Sequence, residues 1–162
     1  MNRKTAWLEI RSSPIQGRGA FAVLPIRKGT RVTEYRGERI STEEADARYA
    51  ESDQAEHPRV LLFIVDKKTV IDAGVNGNEA QYINHSCESN CKVVVSRKRV
   101  FIVAGRDIPA GAELTYDYNL EREGDEDKET ERRFACHCGA KACRGTMLAP
   151  KSRRAKKRRP HN

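Results

Sequence analysis

The feature that most constrains the fold of this chain is a group of three cysteines near its C-terminus. They follow the pattern C-x-C-x4-C in the sequence FACHCGAKACRG and are Cys136, Cys138 and Cys143. Three thiolates in one tight, Gly-containing loop indicate a metal site, but a tetrahedral zinc ion needs a fourth ligand. Cys87 or Cys91, distant in sequence, could supply it, and His137 competes from within the loop. A remote cysteine would attach this loop to the main domain.

The chain length and hydropathy limit the class of protein. A chain of 162 residues predicts one domain with appendages. Its first residues, MNRKTAWLEIRSS, contain no apolar run typical of a signal peptide, and no segment approaches the roughly 20 apolar residues of a membrane span. We therefore expect a soluble intracellular protein. In that reducing compartment five cysteines favour metal or thiol chemistry over disulfides.

Short apolar runs rich in Val and Ile predict a mainly β domain. Gly, Pro, Asn or Asp residues separate these runs, and the clearest ones are residues 61–65, 93–95 and 100–103. Residues 93–104, VVVSRKRVFIVA, are typical of a hairpin whose turn lies at Arg97 and Lys98.

One helix is predicted clearly. Ser41 followed by Glu44 matches a capping box that opens a helix through about Ala50. Two other segments resemble each other, because residues 26–33 (IRKGTRVT) and 108–115 (IPAGAELT) each place a Gly-containing turn before a strand. Two copies so far apart do not make a repeat protein.

The charges are unevenly distributed along the chain. Residues 151–162 contain seven Lys or Arg and no acid, whereas the rest of the chain has 24 basic and 23 acidic residues. We expect this basic tail to stay disordered, as a solubilising end, a nucleic-acid-binding segment or a localisation signal. Residues 121–131 contain seven acids and two basic residues, and we interpret them as a solvated spacer or an acidic lip that attracts a basic substrate.

Three further motifs carry polar groups suited to binding or catalysis. Residues 15–21, IQGRGAF, contain a G-x-G without the third glycine of a dinucleotide fingerprint. Residues 82–91, YINHSCESNC, combine amides, an imidazole and thiols. In residues 113–118, ELTYDY, the phenols of Tyr116 and Tyr118 fall on one side of an extended strand, because alternate residues share a face.

Taken in order, these motifs resemble the SET-domain lysine methyltransferases. The resemblance rests on SPIQGRGAF, EYRGE, IDAGVNGNEAQYINHSCESNC, ELTYDY and CHCGAKACRG, and covers about residues 5 to 148. It implies a mainly β (α+β) fold of several small sheets, in which the chain carrying Tyr118 passes beneath the loop around Asn84 as a pseudoknot. The implied divisions are a SET domain at 5–119, an acidic linker at 120–131, a zinc-binding post-SET motif at 132–148 and a basic tail at 149–162.

The resemblance also implies roles for individual residues. The catalytic positions would be Tyr118, with Tyr116 tuning the number of methyl groups and Tyr35 forming an aromatic wall of a lysine channel. The cleft for S-adenosylmethionine would use Gln16, Gly17, Arg18, Asn84 and His85. The zinc ligands would be Cys87, Cys136, Cys138 and Cys143. Cys91 would then be a small buried hydrophobe.

The implied activity is transfer of a methyl group from S-adenosylmethionine to a lysine amine in a protein substrate. Histones, histone-like proteins, ribosomal proteins and the chain's own Lys-rich tail are candidate substrates. An apolar aromatic channel beside a positive sulfonium would favour the neutral amine, and zinc held by four thiolates would be structural. The expected location is a bacterial-type cytoplasm, or the nucleus if the protein is eukaryotic or delivered to a host.

Two other classes of protein stay open. A non-enzymatic zinc module could bind nucleic acid through the basic tail, although a near-neutral domain does not supply a basic face. A degenerate SET fold could bind partners without catalysis, but Tyr118, Asn84 and His85 favour an active enzyme. Cofactor binding and turnover would distinguish the three classes.

Overall fold

The computed structural model describes residues 7–50, 60–122 and 128–151. Within these ranges the chain forms ten short strands. They are β1 (Leu8–Ser12), β2 (Arg18–Ala22), β3 (Arg31–Tyr35), β4 (Glu38–Ile40), β5 (Leu62–Asp66), β6 (Thr69–Asp72), β7 (Asn84–His85), β8 (Cys91–Ser96), β9 (Arg99–Ala104) and β10 (Thr115–Tyr116). The helices are α1 (Thr42–Tyr49) and α2 (Lys128–Arg133), with a 3-10 turn at Glu79–Tyr82. The prediction of a mainly β fold is confirmed.

The strands form several small sheets. β1 pairs with β2, β9 lies between β3 and β8, and β6 lies between β4 and β5, all in antiparallel register. β7 and β10 pair in parallel. β9 is buried on both faces from Val100 to Ala104 and forms the centre of the core. Because each sheet is small, loops from several sheets meet at one place, and the candidate site lies there.

The parallel pair brings two distant motifs together. β10 runs beside β7, with Thr115 next to Asn84. The Asn90 side chain donates to the Glu113 carbonyl at 2.8 Å and accepts from the Thr115 amide at 2.9 Å. The chain that leads to Tyr118 is therefore held against the loop after β7, as expected for the pseudoknot crossing.

The β8–β9 hairpin turns where the sequence predicts. Ser96 pairs with Arg99, which leaves Arg97 and Lys98 as the two turn residues. Their φ angles of 49° and 60° are the left-handed values that a type I′ turn requires. The predicted hairpin is confirmed, although Asn-Gly is the pair that adopts this turn with least strain.

α1 begins at the predicted capping box, where the Ser41 hydroxyl accepts from the Glu44 amide at 3.1 Å. The helix is attached to β6 through Asp72, a carboxylate with no exposed surface. Arg48 binds this carboxylate at 2.8 Å and the Tyr49 hydroxyl donates to it at 2.9 Å. A buried charge is tolerated here because both partners satisfy it.

The predicted helix after Ser41 is confirmed, but the expectation that it is the one helix is wrong, because residues 128–133 form α2. This helix begins inside the segment interpreted as a solvated linker. After Lys128 at its start, two acids precede two basic residues, as the helix dipole favours, and these are Glu129, Glu131, Arg132 and Arg133. Residues 123–127 of the linker and 152–162 of the basic tail lie outside the described residues. Among the described residues, no helix is both long and apolar enough to cross a membrane.

The two similar segments pair with each other. Ile26 and Ile108 exchange both backbone hydrogen bonds at 2.8 Å and are almost fully buried. Gly29 and Gly111 follow with φ angles of 86° and 83°, conformations that favour glycine. The sequence similarity therefore reflects two similar turns on either side of one buried contact.

Candidate active site

A cavity of about 430 Å³ lies where the β1–β2 loop, the 3-10 turn and the chain after β10 meet. Its volume is within the range usual for small-molecule sites. The lining residues are Gln16, Gly17, Arg18, Val60, Gln81, Tyr82, Asn84, Tyr118 and Met147. The structure therefore brings together four of the five predicted cofactor residues and the predicted catalytic Tyr118.

Asn84 holds one wall of this cavity. Its side-chain amide lies 3.3 Å from the Gln16 carbonyl and 3.1 Å from the Arg18 carbonyl, both in the β1–β2 loop. The same amide donates to the Glu113 carboxylate at 2.9 Å. Because Asn84 is buried, these hydrogen bonds are largely shielded from water. The loop that carries Gly17 is thus fixed before any ligand binds.

Glu113 has a role in this wall that was not predicted from the sequence. Its carboxylate accepts from the Ser13 hydroxyl at 2.7 Å as well as from Asn84. A Cβ on Gly19 would lie 2.2 Å from this carboxylate, which is closer than atoms can approach. The second glycine of the G-x-G therefore permits the close approach of Glu113. In the sequence, Gly19 indicates that some group approaches the backbone closely, but it does not indicate that this group is Glu113.

His85 lies behind the cavity, with its side chain 2% exposed. Its Nδ1 accepts from the Tyr118 amide at 3.0 Å, so its proton is on Nε2, 3.4 Å from the Cys87 sulfur. Burial lowers the pKa of His85 to about 4 despite the opposing charge of Asp117. The neutral imidazole joins the tyrosine segment to the cysteines. A cofactor contact by His85 stays a prediction, because the residue does not line the cavity.

The three predicted tyrosines converge beside the cavity. The ring centroids of Tyr116 and Tyr118 are 4.8 Å apart, and Tyr35 is close enough to act electrostatically on Tyr116. Phe63, which was not predicted, packs against Tyr35 with centroids 5.5 Å apart. Burial raises the pKa of Tyr116 and of Tyr118 above the ordinary value for a phenol. Both are therefore neutral phenols near neutral pH.

The tyrosine hydroxyls are held in different ways. Tyr118 donates to the Ile83 carbonyl at 2.9 Å, and Tyr35 donates to the Leu61 carbonyl at 2.9 Å. Within the described part of the chain, the Tyr116 hydroxyl has no hydrogen-bond partner. Two phenols are thus oriented by the backbone, whereas the third can bind a water molecule or a substrate group.

The four cysteines predicted as zinc ligands form one cluster. Their sulfur atoms all lie within 4.8 Å of one another, with Cys87 3.8 Å from Cys136 and 4.0 Å from Cys143. Tetrahedral zinc with Zn–S distances of about 2.3 Å requires sulfur separations of roughly 3.8 Å, so the cluster fits this metal. The Arg144 amide donates to the Cys87 sulfur and the Gly145 amide to the Cys143 sulfur, each at 3.3 Å.

The structure distinguishes Cys87 from the other two candidates for the fourth ligand, Cys91 and His137. Cys91 begins β8 and packs in the core, and burial raises the pKa of its thiol to about 11. His137 is exposed and outside the cluster. Although burial opposes the thiolate form of Cys138, hydrogen bonds within the cluster lower its pKa to about 6. Four thiolates leave no open coordination position, so zinc here would be structural.

Comparison with known proteins identifies the family. The sequence model of the SET-domain family matches residues 17–119 of this chain. This chain belongs to the SET-domain family. It is 39% identical over 154 residues to histone-lysine N-methyltransferase 2D of Homo sapiens, covering 89% of this chain and 3% of the relative.

Fungal relatives carry a more specific name. The chain is 40% identical over 139 residues to the histone-lysine N-methyltransferase, H3 lysine-4 specific, of Yarrowia lipolytica, covering 83% of this chain. It is 38% identical over 151 residues to the Saccharomyces cerevisiae protein of the same name, covering 91% of this chain. The chain spans 12% and 14% of these two relatives, so it corresponds to a small part of each.

In this SET domain an ion pair joins the cysteine loop to the tyrosine segment. Arg144, next to Cys143, donates two hydrogen bonds of 2.8 Å to the two carboxylate oxygens of Asp117. Burial would raise the pKa of Asp117, but the hydrogen bonds from Arg144 hold it below its ordinary value. Asp117 separates Tyr116 from Tyr118, so this bidentate pair fixes the chain between them. It was not predicted, because no local pattern indicates which arginine meets which carboxylate.

The segment after the cysteines completes the cavity of the SET domain. Met147 lines it, and the Met147 amide donates to the Phe134 carbonyl at 2.8 Å. On the opposite side, the Arg18 guanidinium lies 4.9 Å from the centre of the Tyr82 ring, as in a cation–π contact. Neither Met147 nor Tyr82 was predicted to line the site. Tyr82 begins the polar motif at 82–91, but nothing in the sequence around Met147 indicates that it does so.

Proposed function

We propose that this SET domain transfers a methyl group from S-adenosylmethionine to the side-chain amine of a lysine in a protein. One observation carries the proposal: a small-molecule cavity containing Asn84 and Tyr118 adjoins a cluster of neutral phenols that includes Tyr116. The cavity suits a methyl donor and the phenols suit a lysine side chain. The names of the relatives state lysine methyl transfer, which supports the same activity here.

The β1–β2 loop fits a role in binding the cofactor. Gly17 has a φ of 46°, and no atom lies within 4 Å of the position of a Cβ, so the loop backbone is open to a ligand. Gln16 and Arg18 flank it and would present further backbone groups, held in place by Asn84. When bound, S-adenosylmethionine supplies an activated methyl group on a positively charged sulfur.

The phenol cluster would prepare the lysine. A free lysine amine has a pKa of about 10.4, so it is mostly protonated near neutral pH. Burial among Tyr35, Tyr116 and Tyr118 disfavours the ammonium ion and lowers that pKa, and a neighbouring positive charge acts in the same direction. The neutral amine could then accept the methyl group that a bound cofactor would supply, and the proton lost from the ammonium ion would go to solvent.

Tyr118 would orient the amine. Its hydroxyl proton is used on the Ile83 carbonyl, so the oxygen acts as an acceptor toward the substrate. Its backbone amide is bound to His85. A side chain anchored at both ends needs little reorganisation during the reaction, which is how positioned groups lower a barrier.

Tyr116 would limit the number of methyl groups. Because its hydroxyl has no partner within the described residues, it can bind the amine or a water molecule. Either contact restricts the rotation that a methylated lysine needs to react again. We therefore propose a monomethylated product.

The cysteine cluster would hold one structural zinc. The ligands would be Cys87, Cys136, Cys138 and Cys143, whose sulfur atoms fit a tetrahedron. The zinc would order the loop that precedes Met147 and thus one wall of the cavity.

We propose a histone or histone-like protein as the substrate. The names of the relatives specify histone lysine, and two of them specify lysine 4 of histone H3. Ribosomal proteins and the chain's own tail stay predictions that only a substrate screen can test. A histone substrate would place the protein with chromatin, and the comparisons do not support the predicted cytoplasmic location.

Calorimetry and a transfer assay test the proposal together. Zinc-loaded protein should bind S-adenosylmethionine and pass a labelled methyl group to histone H3, but not to a peptide without lysine. Asn84→Ala should weaken cofactor binding, whereas Cys91→Ser should retain it. Absence of cofactor binding would favour a non-enzymatic zinc module. Cofactor binding without transfer to any basic protein would favour a catalytically silent SET fold.

A further inference from the structure

The outer face of the β3–β9–β8 sheet carries a concentration of basic residues. Arg31 and Lys92 both pair with Val103, so their side chains share one face of the sheet. Phe101 lies two residues along β9 and is on the same face. Arg99, two residues further, completes a basic row across all three strands.

Two of these arginines are held in place by packing. The Arg31 guanidinium lies 3.9 Å from the centre of the Phe101 ring, and that of Arg99 lies 5.0 Å from it. Phe101 is only 5% exposed because these groups cover it. Arg99 and Arg36 also bind Glu34, at 2.6 Å and 3.2 Å, so the one acid on this face is surrounded by cations. The guanidinium groups are thus ordered before any partner binds.

The surrounding turns extend the positive charge. Residues 27–36 and 92–107 together contain nine Lys or Arg and two acids, Glu34 and Asp107. All nine basic residues are exposed, and they are Arg27, Lys28, Arg31, Arg36, Lys92, Arg97, Lys98, Arg99 and Arg106.

The part of the chain before the basic tail is therefore nearly neutral only on average. Residues 1–150 contain 24 basic and 23 acidic residues, so the rest of this part carries more acids than bases. The expectation that a near-neutral domain supplies no basic face is corrected by this segregation. The net charge of a chain cannot reveal such a local excess of basic residues, because distant acids cancel it in the sum but do not neutralise that part of the surface.

We propose that this basic face binds the phosphate backbone of a nucleic acid without sequence preference. Exposed Lys and Arg side chains that outnumber the nearby acids Glu34, Asp66 and Asp107 can neutralise successive phosphates and release counterions. Arginine forks suit phosphate oxygens in particular. This face is separate from the candidate active site, because none of its nine basic residues lines the cavity. The proposal goes beyond methyl transfer and does not depend on it.

A matched pair of triple variants of the full chain tests this proposal. Lys92→Gln, Arg97→Gln and Lys98→Gln remove three charges from the face and leave the two arginines that cover Phe101. The control variant changes Lys128, Arg132 and Lys141 to Gln, which are exposed but lie elsewhere. Both variants lose the same charge, and both keep the basic tail.

The readout is binding of a 20-base-pair DNA duplex by fluorescence anisotropy at several salt concentrations. The face variant should bind roughly 30-fold more weakly, and its salt slope should fall by about two to three because each phosphate contact contributes about one. The control should change affinity less than about threefold, with the slope retained. Equal losses in both variants, or no loss in either, would overturn the proposal. Poly-glutamate bound as tightly as DNA, with the same loss, would show an acidic-protein site instead.

Two further measurements keep these outcomes distinct from folding and catalysis. Thermal melting of both variants should match the parent, and if the triple variant does not fold, Lys92→Gln alone should lower the slope by about one. Methyl transfer to a short peptide should be the same in both variants and the parent. A parent that binds DNA but transfers no methyl group would contradict the proposed enzyme activity only.

Discussion

The cavity wall at Asn84 and the cysteine cluster at Cys87 are close in sequence but are stabilised differently. Asn84 is held by hydrogen bonds to Glu113 and to the β1–β2 loop, and these need no other component. Cys87 lies within 4.0 Å of two other sulfurs. Thiolates at that distance repel one another unless a cation lies between them. The Asn84 wall is therefore complete in the protein alone, whereas four thiolates at the cysteine cluster would need a metal ion between them.

Two contacts couple the cysteine cluster to the tyrosine segment rather than to the Asn84 wall. His85 bridges from the Cys87 sulfur to the Tyr118 amide, and Arg144 bridges from the cysteine loop to Asp117. Loss of metal should therefore disturb the tyrosine segment more than the Asn84 wall. Single substitutions in the cysteine cluster, in the tyrosine segment and in the contacts between them can test whether the two are coupled in this way.

The largest effect is expected at the metal. Cys87→Ser removes one of four ligands, so it should abolish stoichiometric zinc and destabilise the fold by about 3 kcal/mol or more, because metal binding energy is also folding energy. Metal analysis and thermal melting would measure both. Cys91→Ser is the matched control and should keep about one zinc per chain. Zinc retained by Cys87→Ser and lost by Cys91→Ser would reverse the ligand assignment.

Tyr118→Phe tests the tyrosine segment, which His85 links to the cysteine cluster. It removes the hydroxyl that we propose orients the amine but keeps the ring against Tyr116, so kcat should fall about 100-fold with the cofactor Kd nearly unchanged. Single-turnover kinetics and calorimetry would separate the two. Tyr49→Phe removes a phenol that binds Asp72 instead, and it should leave kcat within about threefold of the parent. Full activity of Tyr118→Phe would refute its catalytic role.

Changing the Arg144–Asp117 ion pair tests the link between the cysteine loop and the tyrosine segment. Asp117→Asn or Arg144→Ala should lower kcat about tenfold by loosening the tyrosine segment, while zinc content stays unchanged. Arg144→Lys should restore little, because a lysine cannot form the bidentate contact. Zinc lost together with activity in Asp117→Asn would show that the pair stabilises the metal site and not the tyrosines.

Tyr116→Phe should change the product with a smaller effect on rate. Its hydroxyl has no hydrogen-bond partner among the described residues, and losing it would give a methylated lysine room to rotate. The product should therefore shift from monomethyl-lysine toward di- or trimethyl-lysine. Mass spectrometry of a methylated peptide distinguishes these products. Predominant trimethylation by the parent protein would contradict the proposed role of this hydroxyl.

The smallest expected effect concerns Glu34, outside both regions. Hydrogen bonds from Arg99, followed by those from Arg36, hold its pKa at about 2 against the opposing effect of burial. A carboxylate with a lowered pKa in the folded state stabilises the protein above its ordinary pKa, and this contribution disappears as pH falls toward 2. Because both arginines are more than half exposed, we expect about 1 kcal/mol or less.

Glu34→Gln measures that contribution without changing either region. Its difference from the parent in urea-denaturation free energy should be largest near neutral pH and shrink in acid. The effect of acid on the cysteine thiolates is common to both proteins and cancels in this difference. A difference that stays constant with pH would contradict the assigned ion pairs.

Local features of this protein were predictable from neighbouring residues. The cap at Ser41 and the turn at Arg97 and Lys98 each involve groups only a few residues apart, so their geometry follows from short-range sterics and hydrogen bonding. The C-x-C-x4-C spacing likewise indicates a metal site within one loop. α2 was missed because a charge-rich segment without apolar periodicity satisfies the pattern of a linker as well as that of a helix.

The sequence by itself determined the β-rich character of this protein, its cysteine loop and the residue types of its site, because these depend on composition and short spacings. Only the tertiary structure placed one remote cysteine beside that loop, since Cys87 and Cys91 are chemically alike. Cys91 is buried at the start of β8, whereas Cys87 lies in the preceding loop, next to the other three cysteines. The same holds for the Arg144–Asp117 pair and for the basic sheet face. Each brings together residues far apart in the chain, and their proximity follows from how the strands cross and pair, which no local pattern encodes.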